Sequence, residues 1–178
     1  MDLYPFALRT PSGCLKPVVH TSDTLFANMH DVYEMLPAEL QQLFDGLYVH
    51  NSNPNQFSTQ RAPGDPRYLQ TAIHPAVAVH PETGRKLINV SELYARRIVD
   101  VPSWQSRHLL AILFELAKQP DCQVRIRWEK GTVVMWDNRS TQHYGVSDYE
   151  GFGQRMLYRI SVRGSVPKPV NQDKFDKV

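Results

Sequence analysis

Apolar and polar residues follow two periods along this chain, and the switches between them mark out its elements. From Thr24 to Gly46 the spacing is helical: Phe26, Met29, Val32, Tyr33 and Leu36 fall on one stripe. The stretch PAELQQLFDG predicts a second, short helix that stops at Gly46, with Pro37 in its first turn. Ser103 to Lys118 predicts a third, capped by Ser103 and buried along Leu109, Ile112, Leu113 and Leu116. Elsewhere the period is two. QVRIRW (123–128) alternates, TVVMW (132–136) is a denser apolar strand, and Glu129-Lys130-Gly131 between them predicts a hairpin turn. HPAVAVHPETGRKLINV (74–90) predicts two short strands around Glu82-Thr83-Gly84, and RMLYRISVRG (155–164) predicts another strand. A short strand is also expected within Gly13 to His20. Residues 50–70, rich in Asn, Gln, Ser and Pro, predict a loop or lid, and the chain after Pro167 predicts a frayed polar tail.

Composition narrows the class. At 178 residues the chain suits one domain, expected over 1–166 and followed by the tail at 167–178. Thirteen prolines favour strands and loops over a helix bundle. A net charge of +2 gives no electrostatic case for nucleic acid. The two cysteines, Cys14 and Cys122, have neither CxxC spacing nor a disulfide framework, so a reducing cytoplasm is expected. No apolar run reaches the length of a membrane span, and MDLYPFALRTPSG lacks the features of a signal peptide. Neither a membrane nor a nucleic acid is expected as a partner, and a homo-oligomer is left open.

The chemistry concentrates in WDNRSTQHYGVSDYEGFGQRMLYR (136–159). In a strand, Arg155 and Arg159 project to one side, roughly 13 Å apart, with Leu157 between them. On a solvent face they would be two ordinary exposed cations. On an interior face they would need anions, and the planar guanidinium fork suits small dicarboxylates and sulfonates. His143 alone reads most simply as a structural histidine. Followed by a loop and a strand that opens with arginine, it shares one mouth of a sheet with those cations.

WDNRSTQHYGVSDY followed by QRMLYR closely resembles the C-terminal motif of the taurine dioxygenase-like (TauD/TfdA) family of iron(II)/2-oxoglutarate-dependent oxygenases. SDTLFANMHDVYEMLP (22–37), HPAVAVHPETGRKLINV (74–90) and ARRIVDV (95–101) agree with it in order, so the resemblance runs from about residue 22 to 164. It implies a mainly β fold with flanking helices, a double-stranded β-helix or jelly roll. It also implies Fe(II) as cofactor and 2-oxoglutarate as co-substrate, with O2 and a small anionic substrate. By this resemblance His143 is the distal histidine of a 2-His-1-carboxylate triad. Arg155 and Thr24 hold the far carboxylate of 2-oxoglutarate, and Arg159 meets the anionic group of a sulfonate or alkyl sulfate substrate. The implied reaction hydroxylates that substrate and releases succinate and CO2.

The other two family ligands form a His-x-Asp motif ahead of the Asp-Thr-Leu element, here Asp23-Thr24-Leu25. Asp2 matches its carboxylate, because DLYPFALRTPSG resembles the stretch that runs on from that motif in the family, and the histidine position falls before Met1. The jelly roll is therefore expected to be incomplete at the N-terminus and N-terminally truncated relative to the family. His20 and Asp23 are a poor substitute: residues three apart in a strand face opposite sides. Two function classes remain: a dioxygenase, or an inactive remnant or 2-oxoglutarate-binding protein that lacks the proximal histidine. An apolar face left bare where the preceding strands would pack is also expected. His74 and His80, each before a proline, read as structural, and Trp128 and Trp136 as core or rim residues.

Overall fold

A computed structural model of the chain describes the backbone of residues 4–9 and residues 23–52, 71–129, 131–147, 157–162 and 164–171. The expected strand within Gly13 to His20 and most of the expected lid, residues 53–70, lie outside them. The chain divides into two compact units, one of Met1–Met29 with Ala117–Val166, the other of His30–Leu116 with Pro167–Val178. Among the described residues no helix is long and apolar enough to cross a membrane.

The first unit is two three-stranded antiparallel sheets. Its strands are β1 (Tyr4–Arg9), β2 (Thr24–Asn28), β8 (Gln123–Ile126), β9 (Val133–Trp136), β10 (Thr141–Gly145) and β11 (Tyr158–Val162), numbered in chain order. One sheet runs β11-β1-β9 and the other β10-β2-β8. Phe26 of β2 meets Trp136 of β9 edge to face, with centroids 4.8 Å apart, and so joins the inner faces of the two sheets. Ile126, Trp128, Val134 and Leu157 pack around this pair.

Two expectations fail here for instructive reasons. Thr24–Asn28 is a strand and only Met29–Glu34 (α1) is helical, although the apolar spacing runs through both. β2 pairs on both sides, with β10 and β8, and those ladders outweigh a weak local preference. The turn at Glu129 exists, with the Thr132 N–H donating to the Glu129 carbonyl at 3.0 Å and Gly131 at φ +88°. It makes no hairpin, because β8 and β9 enter different sheets. The segment is a corner between layers, and its turn residues look the same in sequence as those of a hairpin.

In the second unit, α2 (Ala38–Asp45) is the expected short helix, with Pro37 just ahead of its first turn and the Gly46 and Leu47 N–H groups closing onto the Leu43 and Phe44 carbonyls. Strands β3 (Tyr48–Ser52), β4 (Thr71–Pro75) and β7 (Ala95–Ile98) form one sheet. β5 (Val77–Val79), β6 (Lys86–Ile88) and β12 (Lys168–Pro169) form the other. The β5–β6 turn is as expected, with Gly84 at φ +69°. Buried His80 caps that turn: its Nδ1 accepts the Glu82 and Thr83 backbone N–H groups, the structural role read for it. Within the stretch read as a frayed tail, Lys168 and Pro169 pair with Val79 and Ala78. Helix α3 (Ser103–Ala117) already includes Ser103, the residue expected to cap it, and the Pro102 carbonyl accepts the Ser106 N–H of the first turn. It buries Ser106, Leu110 and Leu113, and Ile112 is exposed. The Ser106 hydroxyl accepts the Ile98 N–H at 2.7 Å, which fastens the helix to the end of β7.

Candidate functional site

The inner faces of the two sheets of the first unit bring three of the expected site residues together. β2 runs antiparallel to β10, so Thr24 stands opposite Gly145 and Phe26 opposite His143. Side chains two apart share a face, so Thr24, Phe26 and His143 lie on the same one. Across from them, β11 pairs with β1 and β1 with β9; Arg159 and Val134 share the register position of Leu8. Arg159 thus lies on the face that carries Trp136. Arg155 and Asp2, the other two expected site residues, lie outside the described residues.

His143 sits in the middle of a strand of its own, whereas the sequence placed it just past the end of the strand before it. The alternation Thr141, His143 against Gln142, Tyr144 carries no aliphatic residue, so the hydrophobic pattern gives no hint of β10. The imidazole packs against two rings that touch each other, with centroids 5.2 Å from Trp136 and 6.0 Å from Phe26, and its other side is exposed to solvent. Desolvation by this packing, and then the nearby Arg159 charge, push its pKa below the ordinary 6.5. The ring is held neutral near pH 7, and a neutral imidazole has a nitrogen lone pair that can bind a cation or accept a proton.

Thr24 opens β2 and is 2% exposed. Its hydroxyl oxygen accepts the Trp128 indole N–H at 2.9 Å. Next to it, the Asp23 carboxylate, 3% exposed, takes the Arg125 Nε–H at 2.6 Å. β8 and the residue pair after it thus fasten the start of β2 twice. A buried carboxylate without such a partner would be costly. The turn from β9 to β10 is closed in the same economical way: Asp137 accepts the Arg139 backbone N–H and its guanidinium. Sequence reasoning missed these supports. Trp128 in particular read as core or rim, and only the β2–β8 register brings it to Thr24.

The outer side of β9 and β11 is exposed among the described residues. Met135 is 77% exposed and Ile160 69%, with Val133, Tyr158 and Val162 also exposed on β9 and β11. These alternate with the inward residues, so here the apolar side of the strand faces solvent and Arg159 shares the side of Trp136. An apolar face of this kind was expected.

Comparison with known proteins gives a consistent result. The profile of the Taurine catabolism dioxygenase TauD, TfdA family matches residues 10–161. An alkylsulfatase from Acinetobacter baylyi is 37% identical, over 81% of this chain and 48% of its own length. An alpha-ketoglutarate-dependent sulfate ester dioxygenase from Pseudomonas putida is 34% identical, over 84% of this chain and 52% of its own length. The corresponding figures for an alpha-ketoglutarate-dependent sulfonate dioxygenase from Saccharomyces cerevisiae are 36%, 96% and 42%. The chain therefore spans about half the length of these curated relatives. A crystal structure of a taurine dioxygenase from Burkholderia xenovorans superposes with a TM-score of 0.76 at 32% identity, over 94% of this chain and 55% of that one. The architecture is that of the double-stranded β-helix dioxygenases, covered in part.

Proposed function

From the premise that this chain belongs to the taurine dioxygenase TauD/TfdA family, we propose that it acts in an iron(II)- and 2-oxoglutarate-dependent dioxygenase. Its substrate is a small organic anion of the sulfonate or sulfate-ester type. The observation that carries this reading is the inner face of the first unit, where the His143 imidazole feels the Arg159 guanidinium and shares its sheet face with the buried Thr24 hydroxyl. The curated relatives named for alkyl sulfates, sulfate esters and sulfonates support the substrate class.

Among the described residues, His143 suits the metal the family implies. A metal needs an unprotonated imidazole, and desolvation together with Arg159 keeps His143 in that form. His143 and Asp2 would hold iron(II). Arg155 and Thr24 would hold the far carboxylate of 2-oxoglutarate, and Arg159 the anionic end of the substrate. Bound iron supplies the redox chemistry, by which O2 and 2-oxoglutarate convert a C–H bond to C–OH with release of succinate and CO2. The protein's part is to bind, orient and desolvate. Trp136 and Phe26 wall off the imidazole from one side, and Arg159 draws an anion toward it. Hydroxylation of the carbon that bears a sulfate or sulfonate leaves an unstable adduct, which collapses to an aldehyde with loss of sulfate or sulfite. The reading makes residues 1–166 the dioxygenase domain of a cytoplasmic protein whose partners are these small molecules, with a homo-oligomer left open.

Incubation with iron(II), 2-oxoglutarate, O2 and a panel of alkyl sulfates and alkanesulfonates tests it. We expect succinate to form in step with sulfate or sulfite from at least one of them. No succinate above the protein-free control with any of them would count against the reading.

A further inference from the structure

We propose that Trp128 is a positioning residue: its indole N–H fixes the Thr24 hydroxyl as a hydrogen-bond donor aimed at the far carboxylate of 2-oxoglutarate. This rests on the reading just given and adds a residue to it.

The direction of the Trp128–Thr24 bond is not open to choice. An indole N–H can only donate, whereas a hydroxyl has one proton and two lone pairs. At 2.9 Å the threonine oxygen must therefore be the acceptor. One lone pair is taken, and the hydroxyl proton must point away from the indole. The remaining freedoms are small. Threonine is stiff at χ1, and Thr24 is held in a ladder on both sides, opposite Gly145 and opposite Ile126. Asp23, the residue before it, is tied to Arg125. The indole is itself packed against the Phe26–Trp136 cluster. With one lone pair occupied and the indole side closed to its proton, the hydroxyl is biased toward donating to an acceptor on its other side.

This bias has a chemical consequence. A free hydroxyl serves donors and acceptors alike, by turning its proton. One whose proton is already aimed favours a group with lone pairs and no hydrogen, as a carboxylate has, and it does so without reorganising when the ligand arrives. Trp128 then contributes to co-substrate affinity and selectivity without touching the co-substrate. A merely structural bond would do neither.

A double-mutant cycle separates the two. The probe is 2-oxoglutarate with iron(II) under anaerobic conditions, titrated into the full chain. Trp128→Phe keeps the ring and removes the donor, and should weaken 2-oxoglutarate binding roughly three- to tenfold. In a Thr24→Val background the same change should cost nothing more, and in a Thr24→Ser background it should cost as much as in the parent. Should the phenylalanine variant fail to fold, benzothienylalanine at position 128 keeps the bicyclic shape without the N–H. Equal losses in the parent and the Thr24→Val background, or no loss in either, would overturn the proposal and leave the family reading standing. No binding of 2-oxoglutarate by the parent chain would overturn both. The Trp128 indole 15N–1H resonance is read without ligand, and its shift on Thr24→Val reports the bond whichever way binding falls.

Discussion

The two units of this chain solve different problems. The second is built as a core: Val32, Phe44, Val49, Val77, Leu87, Ile88, Ile98 and Leu113 are all essentially inaccessible. Its polar residues serve that core. Lys86 bridges to Asp45 at 2.7 Å and to the Tyr33 hydroxyl at 3.1 Å, and the buried His30 ring bonds the Lys86 carbonyl. Among the described residues the first unit has less such packing. Its buried hydrophobic residues there are Phe26, Ala27, Met29, Cys122 and Trp136, and every residue of β11 is exposed. What it has as well is the candidate site: a hydroxyl bonded by the Trp128 indole, an imidazole packed on two rings, and a guanidinium near enough to act on it. Among the described residues the tighter packing lies in the second unit, and the candidate site stands on strands whose outer side is exposed. A site must keep its groups within reach of a ligand, and groups kept accessible in that way add little to stability.

The contrast is sharpest for truncation of a core ring. Phe44→Ala in the second unit should destabilise the chain by about 3–5 kcal/mol, because the residue is wholly buried and the site cannot refill. A thermal or urea melt measures this, and a loss below about 1 kcal/mol would show that the second unit is no better packed than the first.

A smaller effect is expected on the inner face of the first unit, in the titration of His143. Its folded pKa lies below the ordinary 6.5, so the unfolded chain takes up that proton more readily. The contribution of the neutral ring to stability is therefore complete above pH 6.5 and falls away as the pH drops through the folded value. Arg159→Gln should raise the His143 pKa yet leave it below 6.5, since desolvation is the larger cause. Imidazole resonances in an NMR titration of the metal-free chain decide this. A pKa at or above 6.5 in the parent would remove the argument for a neutral ring.

The smallest change in stability is expected on the outer face. Met135→Lys with Ile160→Lys should alter unfolding free energy by no more than about 0.5 kcal/mol, since both side chains already face solvent. The same pair should cut dye binding to apolar surface and any self-association seen by light scattering. If the parent chain is monomeric and binds no dye, that apolar face is covered in solution.

Legibility in the sequence divides along the same line. α2, α3 and the β5–β6 turn are readable because apolar period, a proline or glycine and a short turn agree with one another. β2 is not, because Phe26, Met29, Val32 and Tyr33 keep helical spacing across a strand-to-helix junction. β10 is hidden for the opposite reason: its inner residues are Thr141, His143 and Gly145, chosen for something other than burial. His143, Thr24 and Arg159 come from family resemblance, and hydrophobic pattern alone would leave each as an ordinary surface or core residue. Trp128 escapes both routes. Its partner lies 104 residues away, and nothing short of strand register joins them.

The most direct test of the central claim is visible absorption of the purified chain under anaerobic conditions with iron(II) and 2-oxoglutarate. A 2-oxo acid chelated to iron in a protein site gives a charge-transfer band. The account predicts that the band appears with the parent chain and is lost in His143→Ala and in Arg155→Ala. Absence of the band, or a band that persists unchanged without His143, would contradict the assignment of the inner face of the first unit as the iron and 2-oxoglutarate site.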